Sequence, residues 1–316
     1  MYKFGIISTA SICKRVMDAI RLTGNEIVAI ASRDIEKARD FARSNNIEKY
    51  YGSYEELYLD TDIDIVYIPV INDLHFKCAK EALSHHKHVL LEKPFTLNSE
   101  DSKELFEIAK KNNCLLMEGV KNVFTPSFRF IKENLNLLGD IESIYLCLSS
   151  SEPFKEEHWM HDYTKGGGVY GASSPYVYHF LFNLFSDRIS NLNGTAVFAD
   201  MGGDKECDFT FEVDGIKVHS FISSISKIDN KSIIKGKNAV MEIDTFWRSH
   251  HVTIYKDNNL LKEFNDEGNE FIYEIEHFIE CLNNKQIVSD VVTADNSIKE
   301  SELIEELYTK WNKVNR

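Results

Sequence analysis

The 316-residue sequence is short of positive charge and of long apolar runs. It carries 36 Lys and Arg residues against 50 Asp and Glu residues, a formal net charge of −14. Nucleic-acid binding relies on clustered Lys and Arg that neutralise phosphates, so this balance argues against a nucleic-acid partner. The longest apolar run, near residues 65–71, is too short to span a bilayer. No signal peptide is visible, and we expect a cytoplasmic protein with no membrane partner.

Paired cysteine motifs are also missing. The six cysteines are scattered through the chain without a C-x-x-C pair. This spacing predicts reduced thiols rather than a disulfide framework or a zinc site. The run His85-His86-Lys87-His88 resembles a metal-binding cluster, but it stands at a helix end just before a strand. We therefore predict no metal site.

The first part of the chain alternates short apolar strands with helices of about ten residues or more. That alternation predicts right-handed βαβ units and a parallel sheet, a Rossmann-type domain over residues 1–121. Residues 122–316 instead show alternating strands separated by turns such as Asp214-Gly215, with two helical stripes at the end. They predict an α+β domain with a large, mainly antiparallel sheet. The fold class is α/β followed by α+β.

The first strand–helix turn lacks the G-x-G-x-x-G pattern of dinucleotide-binding folds, since Ser8, Ala10 and Cys13 stand at the three glycine positions. Such a turn holds a pyrophosphate at the helix N-terminus. Ser and Ala are the smallest substitutes for glycine, and the hydroxyl groups of this turn are candidate phosphate donors. An ordinary turn is the alternative. The residues assigned to the cofactor here are Ser8, Thr9, Ala10, Ser11 and Ile12.

The end of the second strand indicates which dinucleotide is bound. NAD-specific folds place an Asp or Glu there, whereas this chain has Ser32 and Arg33. A hydroxyl beside a guanidinium suits a 2′-phosphate, because Arg bonds phosphate bidentately. The pair favours NADP, with NAD as the alternative. Asp34 is expected either to cap the next helix or to pair with Arg33.

An apolar strand ending at Leu91 delivers Glu92, Lys93 and Pro94 to its carboxyl end. Ligands of open α/β sheets bind outside the carboxyl ends of the strands. Pro94 biases Lys93 away from helix, which presents the ammonium on a stiff turn. Lys93 is therefore a candidate catalytic residue, and an ordinary solvated lysine is the alternative.

A glycine run at residues 166–168 precedes a second candidate site. Ser174 and Pro175 form a typical N-cap and first-turn pair, so a helix is expected to begin there. Tyr176 would then lie in the first turn, where the positive end of the helix dipole favours a phenolate. His179 lies three residues on, along the same face. Core packing is the alternative for both side chains.

Several short motifs occur in an order that resembles the glucose–fructose oxidoreductase / inositol dehydrogenase (Gfo/Idh/MocA) family, especially its dihydrodiol-dehydrogenase-like members. They are Ala31-Ser32-Arg33-Asp34, residues 51–57, residues 64–68, Asn72-Asp73-Leu74-His75, residues 87–94 and Met117-Glu118. The resemblance implies an NAD(P)-dependent oxidoreductase that acts on a sugar or cyclic polyol, and a homodimer or higher homo-oligomer. It also implies that Lys93 contacts the reacting hydroxyl.

The resemblance places further residues beside the cofactor. These are Val70, Ile71, Asn72, His75, Glu92, Lys93 and Pro94. Family members usually have a proline where this chain has Ile71, so the shape of that loop is an open question.

The glycine run resembles a family motif that puts Tyr176 at the position of the general acid/base and His179 beside it as relay or substitute. Ala172 stands where most members have an aspartate. Lys121-Asn122-Val123 stands where many relatives have an aromatic residue and an arginine before Phe124. We expect Lys121 to be a surface lysine, with a polar substrate contact as the alternative. His158 is a candidate for lining the substrate site.

Two other functions occur on the same fold. One is NAD-dependent glycosidase chemistry, in which hydride transfer is transient and the net reaction is hydrolysis. The other is a non-catalytic NADP-binding regulator, which the loss of the aspartate at Ala172 favours and the presence of Lys93 and Tyr176 disfavours.

Overall fold

The computed structural model describes residues 1–150 and 154–313. Its strands are β1 (Lys3–Ile7), β2 (Glu26–Ala31), β3 (Lys49–Tyr51), β4 (Ile65–Ile68), β5 (His88–Glu92), β6 (Leu116–Gly119), β7 (Ile141–Ser149), β8 (Ile189–Phe198), β9 (Asp204–Val213), β10 (Ile216–Ser223), β11 (Lys231–Gly236), β12 (Val240–Asp244), β13 (His251–Lys256) and β14 (Asn259–Asn265). Its α-helices are α1 (Ile12–Leu22), α2 (Ile35–Ser44), α3 (Tyr54–Leu59), α4 (His75–Ser84), α5 (Ser99–Asn112), α6 (Pro126–Asn134), α7 (Val169–Leu184), α8 (Phe271–Asn283) and α9 (Ala294–Lys310).

The chain divides into two compact units. The first comprises Met1–Gly119 and Phe271–Ile298, and the second comprises Val120–Glu270 and Lys299–Arg316. The sequence placed the boundary after residue 121 and assigned all of 122–316 to one domain. The structure differs because α8 packs against α1 and the Leu116 main-chain N–H donates to the Ile287 carbonyl, 3.2 Å away. Residues 271–298 thus complete the first unit.

The first unit is built on a parallel sheet with the strand order β3-β2-β1-β4-β5-β6, as seen in the described residues. Every neighbouring pair in this sheet runs parallel. The predicted parallel Rossmann-type sheet is therefore confirmed. The short strand β3 was not predicted, because three residues are too few to show an apolar period.

Helix starts in the first unit follow their capping residues. Ser53 accepts from the Glu56 N–H while the Glu56 carboxylate accepts from the Ser53 N–H, which forms a capping box at the start of α3. The strands and the inner faces of α4 and α5 form a continuous apolar core, with Val66, Val89 and Leu105 fully buried. This packing holds the carboxyl ends of β1, β2, β4 and β5 along one edge of the sheet.

The second unit is built on a larger sheet with the order β14-β13-β12-β11-β7-β10-β9-β8 in the described part of the chain. Its neighbouring strands pair antiparallel except β7 and β10, which are parallel. The predicted, mainly antiparallel sheet is confirmed, although a simple meander would not contain the β7/β10 pair. The edge strand β14 was missed because its residues are almost all exposed and carry no apolar alternation.

Among the residues that the structure describes, no helix has both the length and the apolar composition that a membrane-spanning segment needs.

Candidate active site

The turn between β1 and α1 keeps a glycine-like backbone at Ser8, the position of the first glycine in dinucleotide-binding turns. Ser8 has a φ of 131°, which lies in a backbone region that residues other than glycine rarely adopt. Such strain costs about 1–3 kcal/mol and persists mainly at functional sites. The Ser8 Oγ accepts from the Ala10 N–H at 3.1 Å. Ser11 precedes α1 without capping it through its side chain, which fits a helix start that receives a phosphate.

After the end of β2, Asp34 is the N-cap residue of the next helix, α2. Its carboxylate accepts from the Glu36 and Lys37 N–H groups at 3.1 and 3.3 Å, and so caps α2. The N-cap interpretation of Asp34 is confirmed. Ser32 Oγ accepts from the Asp34 N–H at 3.3 Å, and the Arg33 side chain is exposed beside it. A hydroxyl and a guanidinium at this strand end fit the 2′-phosphate of NADP.

The loop after β4 has the backbone that a proline would impose. Ile71 has φ −68° and ψ 152° and precedes a 3₁₀ turn over Asn72–Leu74. Proline fixes φ near −65°, so replacing the family's usual proline by isoleucine leaves the path of this loop unchanged. Val70 and Ile71 are half-buried and Asn72 is buried.

His75 connects this loop to the segment after β5. The ring is fully buried, with Nδ1 2.7 Å from the Pro94 carbonyl oxygen and Nε2 3.1 Å from the Val70 carbonyl oxygen. Burial lowers the pKa of His75, and the two carbonyl oxygens oppose that shift. Both ring nitrogens thus face main-chain carbonyl oxygens, so His75 links the loop after β4 to the segment after β5. A cofactor contact from His75 stays a prediction.

The catalytic candidate Lys93 follows β5 directly. The Glu92 carboxylate before it accepts from the Tyr67 hydroxyl at 2.7 Å, and the Lys93–Pro94 peptide bond after it is cis. Burial, followed by the charge of Glu92, raises the pKa of Tyr67 well above its ordinary value, so its hydroxyl remains a donor. Lys93 is therefore flanked by an anchored glutamate and by a proline whose carbonyl contacts His75.

In the second unit, α7 begins six residues earlier than the sequence predicted. The helix runs from Val169, and Ser174 and Pro175 lie inside it. The prediction was wrong because the cap comes from elsewhere in the chain. The Asp204 carboxylate accepts from the Tyr170 N–H at 2.7 Å, and the Tyr308 hydroxyl accepts from the Gly171 N–H at 3.1 Å.

Tyr176 consequently lies in the second turn of α7, and the proposed effect of the first-turn dipole on it does not apply. It is buried, and its hydroxyl oxygen is 2.7 Å from the Nζ of Lys121. Lys121 is 6% exposed, which corrects the expectation of a surface lysine. Asn122 donates through Nδ2 to the Tyr176 carbonyl oxygen at 3.1 Å. The structure thus brings together two residues that the sequence assigned to the substrate.

His179 is fully buried one turn beyond Tyr176. Its Nε2 is 3.0 Å from the Oε2 of Glu300 on α9. Glu300 was not singled out in the sequence, although a signal exists: it stands four residues before Ile304 on the apolar stripe of α9. A glutamate on a buried helical face usually has a charged or hydrogen-bonding partner.

His158 caps a short 3₁₀ turn over Trp159–His161, since its Nδ1 accepts from the Met160 N–H at 3.2 Å. The ring stacks on Phe154 with 4.6 Å between centroids. Burial, followed by the charge of His161, lowers the pKa of His158, which agrees with Nδ1 acting as an acceptor. A substrate contact from His158 stays a prediction.

A group with metal-ligand chemistry lies on and after α8. Ligand atoms of His277, Cys281 and Asp290 are within 4.8 Å of one another. However, His277 Nε2 is already 2.8 Å from the Ser289 hydroxyl, and burial raises the pKa of the Cys281 thiol to about 11. This group is satisfied by hydrogen bonds as it stands.

Residues 2–120 match GFO_IDH_MocA, an oxidoreductase family with an NAD-binding Rossmann fold. The chain is 29% identical to trans-1,2-dihydrobenzene-1,2-diol dehydrogenase of Xenopus laevis over 296 residues, 89% of each chain. It is 28% identical to scyllo-inositol 2-dehydrogenase (NADP(+)) IolU of Bacillus subtilis over 324 residues, 97% of this chain and 96% of that enzyme. Residues 2–120 are thus similar to the Gfo/Idh/MocA oxidoreductases, and nearly the whole chain is similar to these two dehydrogenases.

A solved structure shows the same fold over the full chain. KijD10, a 3-ketoreductase from Actinomadura kijaniata crystallised with NADP and TDP-benzene, aligns with a TM-score of 0.89 at 20% identity. The alignment covers 98% of this chain and 97% of KijD10. The chain, with its Rossmann-type sheet followed by a large, mainly antiparallel sheet, therefore has the same fold as KijD10.

Proposed function

We propose that this protein is a Gfo/Idh/MocA-type, NADP-dependent oxidoreductase that transfers hydride between the nicotinamide and an alcohol or ketone carbon of a sugar or cyclic polyol. The two relatives above support this substrate class, since their names give a cyclic diol and an inositol as substrates. We further propose a cytoplasmic homodimer or higher homo-oligomer. The eight-stranded sheet supports the oligomer, because β9 and β10 pack against α7 and exposed positions such as Asp208, Thr210, Lys217 and His219 alternate with buried ones along both strands.

The proposal is carried by the position of Lys93. It follows the fifth strand of a sheet with the order β3-β2-β1-β4-β5-β6, at the carboxyl edge where open α/β sheets bind nucleotides. Glu92 and Pro94 on either side of it are held by Tyr67 and His75. A lysine held there has an ammonium with three donors for a substrate oxygen.

When bound, the nicotinamide supplies the hydride acceptor or donor, and the protein handles the proton. Oxidation of a CH–OH carbon releases one hydride and one proton. We assign Lys93 to donate to the substrate oxygen and thereby stabilise its alkoxide character as the hydride leaves. Tyr176 takes the proton and returns it in the reverse direction, with His179 as its relay.

The cofactor preference rests on Ser32 and Arg33. Arg33→Ala is expected to raise the Kd for NADPH roughly 10- to 100-fold, since hydrogen bonds to charged groups contribute about 1.5–3 kcal/mol each. The Kd for NADH is expected to change little. Fluorescence titration with both cofactors measures this, and Arg43→Ala on the exposed face of α2 is the matched control. Tighter binding of NADH than NADPH by the unmodified protein would overturn the preference.

The function itself is tested by incubating the protein with NADP or NADPH and a panel of sugars, cyclic polyols and sugar nucleotides. We expect net reduction of NADP or oxidation of NADPH with at least one of them. Release of sugar without net change in NADPH would indicate the glycosidase reaction instead. Binding of NADPH with no turnover across the panel would indicate the regulator.

A further inference from the structure

The buried pair of Lys121 and Tyr176 has a geometry that the proposed function does not require. Lys121 Nζ lies 2.7 Å from the Tyr176 hydroxyl oxygen and 4.6 Å from the centroid of its ring. The side chains are 6% and 7% exposed. Burying a lysine ammonium is costly unless it is paired and hydrogen-bonded. A lysine kept at this position therefore interacts strongly with the phenol.

The turn that carries Lys121 holds the ammonium in place. Lys121–Val123 forms a 3₁₀ turn after β6, closed by the Phe124 N–H donating to the Lys121 carbonyl at 3.2 Å. The neighbouring Asn122 donates to the main-chain carbonyl of Tyr176 at 3.1 Å. Two adjacent residues of one turn thus contact the side chain and the main chain of the same tyrosine.

Ala172 lies one helical turn before Tyr176 on α7, at a spacing that puts both side chains on one face. A carboxylate there would add negative charge next to the phenol. This chain has alanine instead and brings a cation from the 3₁₀ turn. A nearby positive charge favours the ionised form of an acid, so both differences favour the phenolate of Tyr176.

In the part of the chain that the structure describes, the following titratable groups around α7 have hydrogen bonds or burial of their own. The Tyr170 and Tyr178 hydroxyls bond each other at 2.7 Å, and burial raises the pKa of both. From β9, Asp204 caps the helix start and Cys207 has its pKa raised by burial. From α9, Glu300 bonds His179 and Tyr308 donates to Asp204. The buried positions of β10 that face the core carry no titratable side chain: Val218, Ser220 and Ile222.

We propose that Lys121 is a positioning residue that stabilises the Tyr176 phenolate and so sets the pH at which Tyr176 accepts the substrate proton. This inference rests on the proposed function, because it assigns Tyr176 the acid–base role. Lys93 then acts on the substrate oxygen, while a second lysine, Lys121, acts only through the tyrosine.

The kinetic test compares Lys121→Met and Lys121→Gln with the unmodified enzyme in the oxidation direction. Both remove the cation, and Gln keeps a hydrogen-bond donor. We expect the acidic limb of the kcat profile to move to higher pH by about 1 unit or more, which is the usual effect of losing a nearby opposite charge. Lys121→Arg restores the charge and is expected to bring the limb back. An unchanged profile in Lys121→Gln would overturn the inference.

Lys87→Met is the matched control, since Lys87 is another buried lysine and its ammonium donates to the main-chain carbonyls of Asp60 and Ile63. It is expected to leave the profile in place.

A second readout needs no substrate. The phenolate absorbance of each protein, minus that of the same protein with Tyr176→Phe, gives the titration midpoint of Tyr176 alone. We expect a lower midpoint in the unmodified protein than in Lys121→Gln, and equal midpoints would overturn the inference. If the midpoints of the unmodified protein and Lys121→Gln differ but no substrate is turned over, the Lys121–Tyr176 interaction is supported and the proposed function is rejected. If a substrate is turned over but the two midpoints are equal, the proposed function is supported and the inference about Lys121 is rejected.

Discussion

At the scale of single residues, two positions reproduce the backbone geometry of a residue type that they do not carry. Ser8 takes a φ of 131° where dinucleotide-binding turns have glycine, and Ile71 takes a φ of −68° where the resemblance to the Gfo/Idh/MocA family implies proline. The backbone conformation is thus kept while the side chain changes. The residue type at a motif position therefore predicts the backbone conformation of these two loops poorly, because the surrounding chain imposes that conformation.

Lys93→Ala and Tyr176→Phe are each expected to lower kcat by about 10²–10⁴-fold, the usual contribution of acid–base or hydrogen-bonding groups at a reacting centre. The Kd for NADPH is expected to stay within about a factor of three, since neither change alters the phosphate-binding turn. Steady-state kinetics and cofactor titration measure both quantities. Near-normal turnover of Lys93→Ala would reject the assigned role of this lysine.

The burial of Lys121 could not be predicted from the sequence. Nothing adjacent to it in the chain marks it as buried, because its partner Tyr176 lies 55 residues away. Lys93 was recognisable because a buried strand and a proline flank it directly. Residues whose role depends on local context were predictable, and those that depend on a distant helix were not.

At the scale of elements, the start of α7 shows why local capping signals fail when a better partner exists. Ser174 and Pro175 form a good local start signal, yet the helix extends back to Val169 because Asp204 and Tyr308 satisfy its first N–H groups. The strands and helices of the Rossmann unit were predictable, since apolar periodicity and local caps agree there. In α7 the deciding contacts come from β9 and α9.

Gly168→Ala is expected to destabilise the protein by about 3 kcal/mol or more, as strain and steric overlap add together. Gly168 has a φ of 129°, and an added Cβ would lie 2.1 Å from the Asp204 carboxylate that caps α7. Gly215→Ala is the matched control, because Gly215 also has a positive φ, 82°, but no neighbouring atom within 4 Å. It is expected to cost about 1 kcal/mol. Urea unfolding measures both, and equal losses would contradict the role of Asp204.

His88 makes the pairing of β5 with β6 sensitive to acid. Its Nδ1 accepts from the Leu115 N–H at 2.8 Å, which requires an unprotonated nitrogen. Burial lowers the pKa of His88 from its ordinary value of 6.5, so the unfolded chain binds a proton more readily than the folded one. The free energy of unfolding should therefore decrease as the pH falls below 6.5.

His88→Asn is expected to reduce this pH dependence between pH 7.5 and 5.5, because asparagine offers a non-titrating acceptor. The exposed neighbour His86, changed to Asn, is the control and is expected to keep the full dependence. Denaturant unfolding at several pH values measures the slopes. Identical slopes in all three proteins would show that His88 does not contribute.

At the scale of the whole molecule, all six cysteines are buried as free thiols. Burial, followed by the charge of Glu92, raises the pKa of Cys13 to about 12, and burial raises those of Cys78 and Cys114 to about 11. Thiolate is the reactive form, so we expect little reaction of the folded protein with a thiol reagent at pH 8. All six should react once guanidinium unfolds the chain. Rapid labelling of Cys13 in the folded state would contradict this description of the phosphate-binding turn.

The two sheets of the whole molecule were predictable because each has its own sequence pattern, unbroken apolar strands in one and alternating strands in the other. The assignment of residues 271–298 to the first unit was not predictable, since the sequence pattern of an amphipathic helix fits either unit equally well. Only the contact between α8 and α1 decides it, and that contact joins residues more than 200 positions apart.

Phe271–Ile298 belongs to the first unit although it follows most of the second unit in the chain, and this order affects folding during translation. As the ribosome releases the chain, the amino-terminal half has all six strands of its sheet long before the helix that covers α1 has been translated. The part of α1 that α8 covers stays uncovered until most of the polypeptide has emerged, although α1 can already pack against β2. A nascent chain halted near its middle should therefore be prone to aggregate, although its nucleotide-binding motifs are already complete.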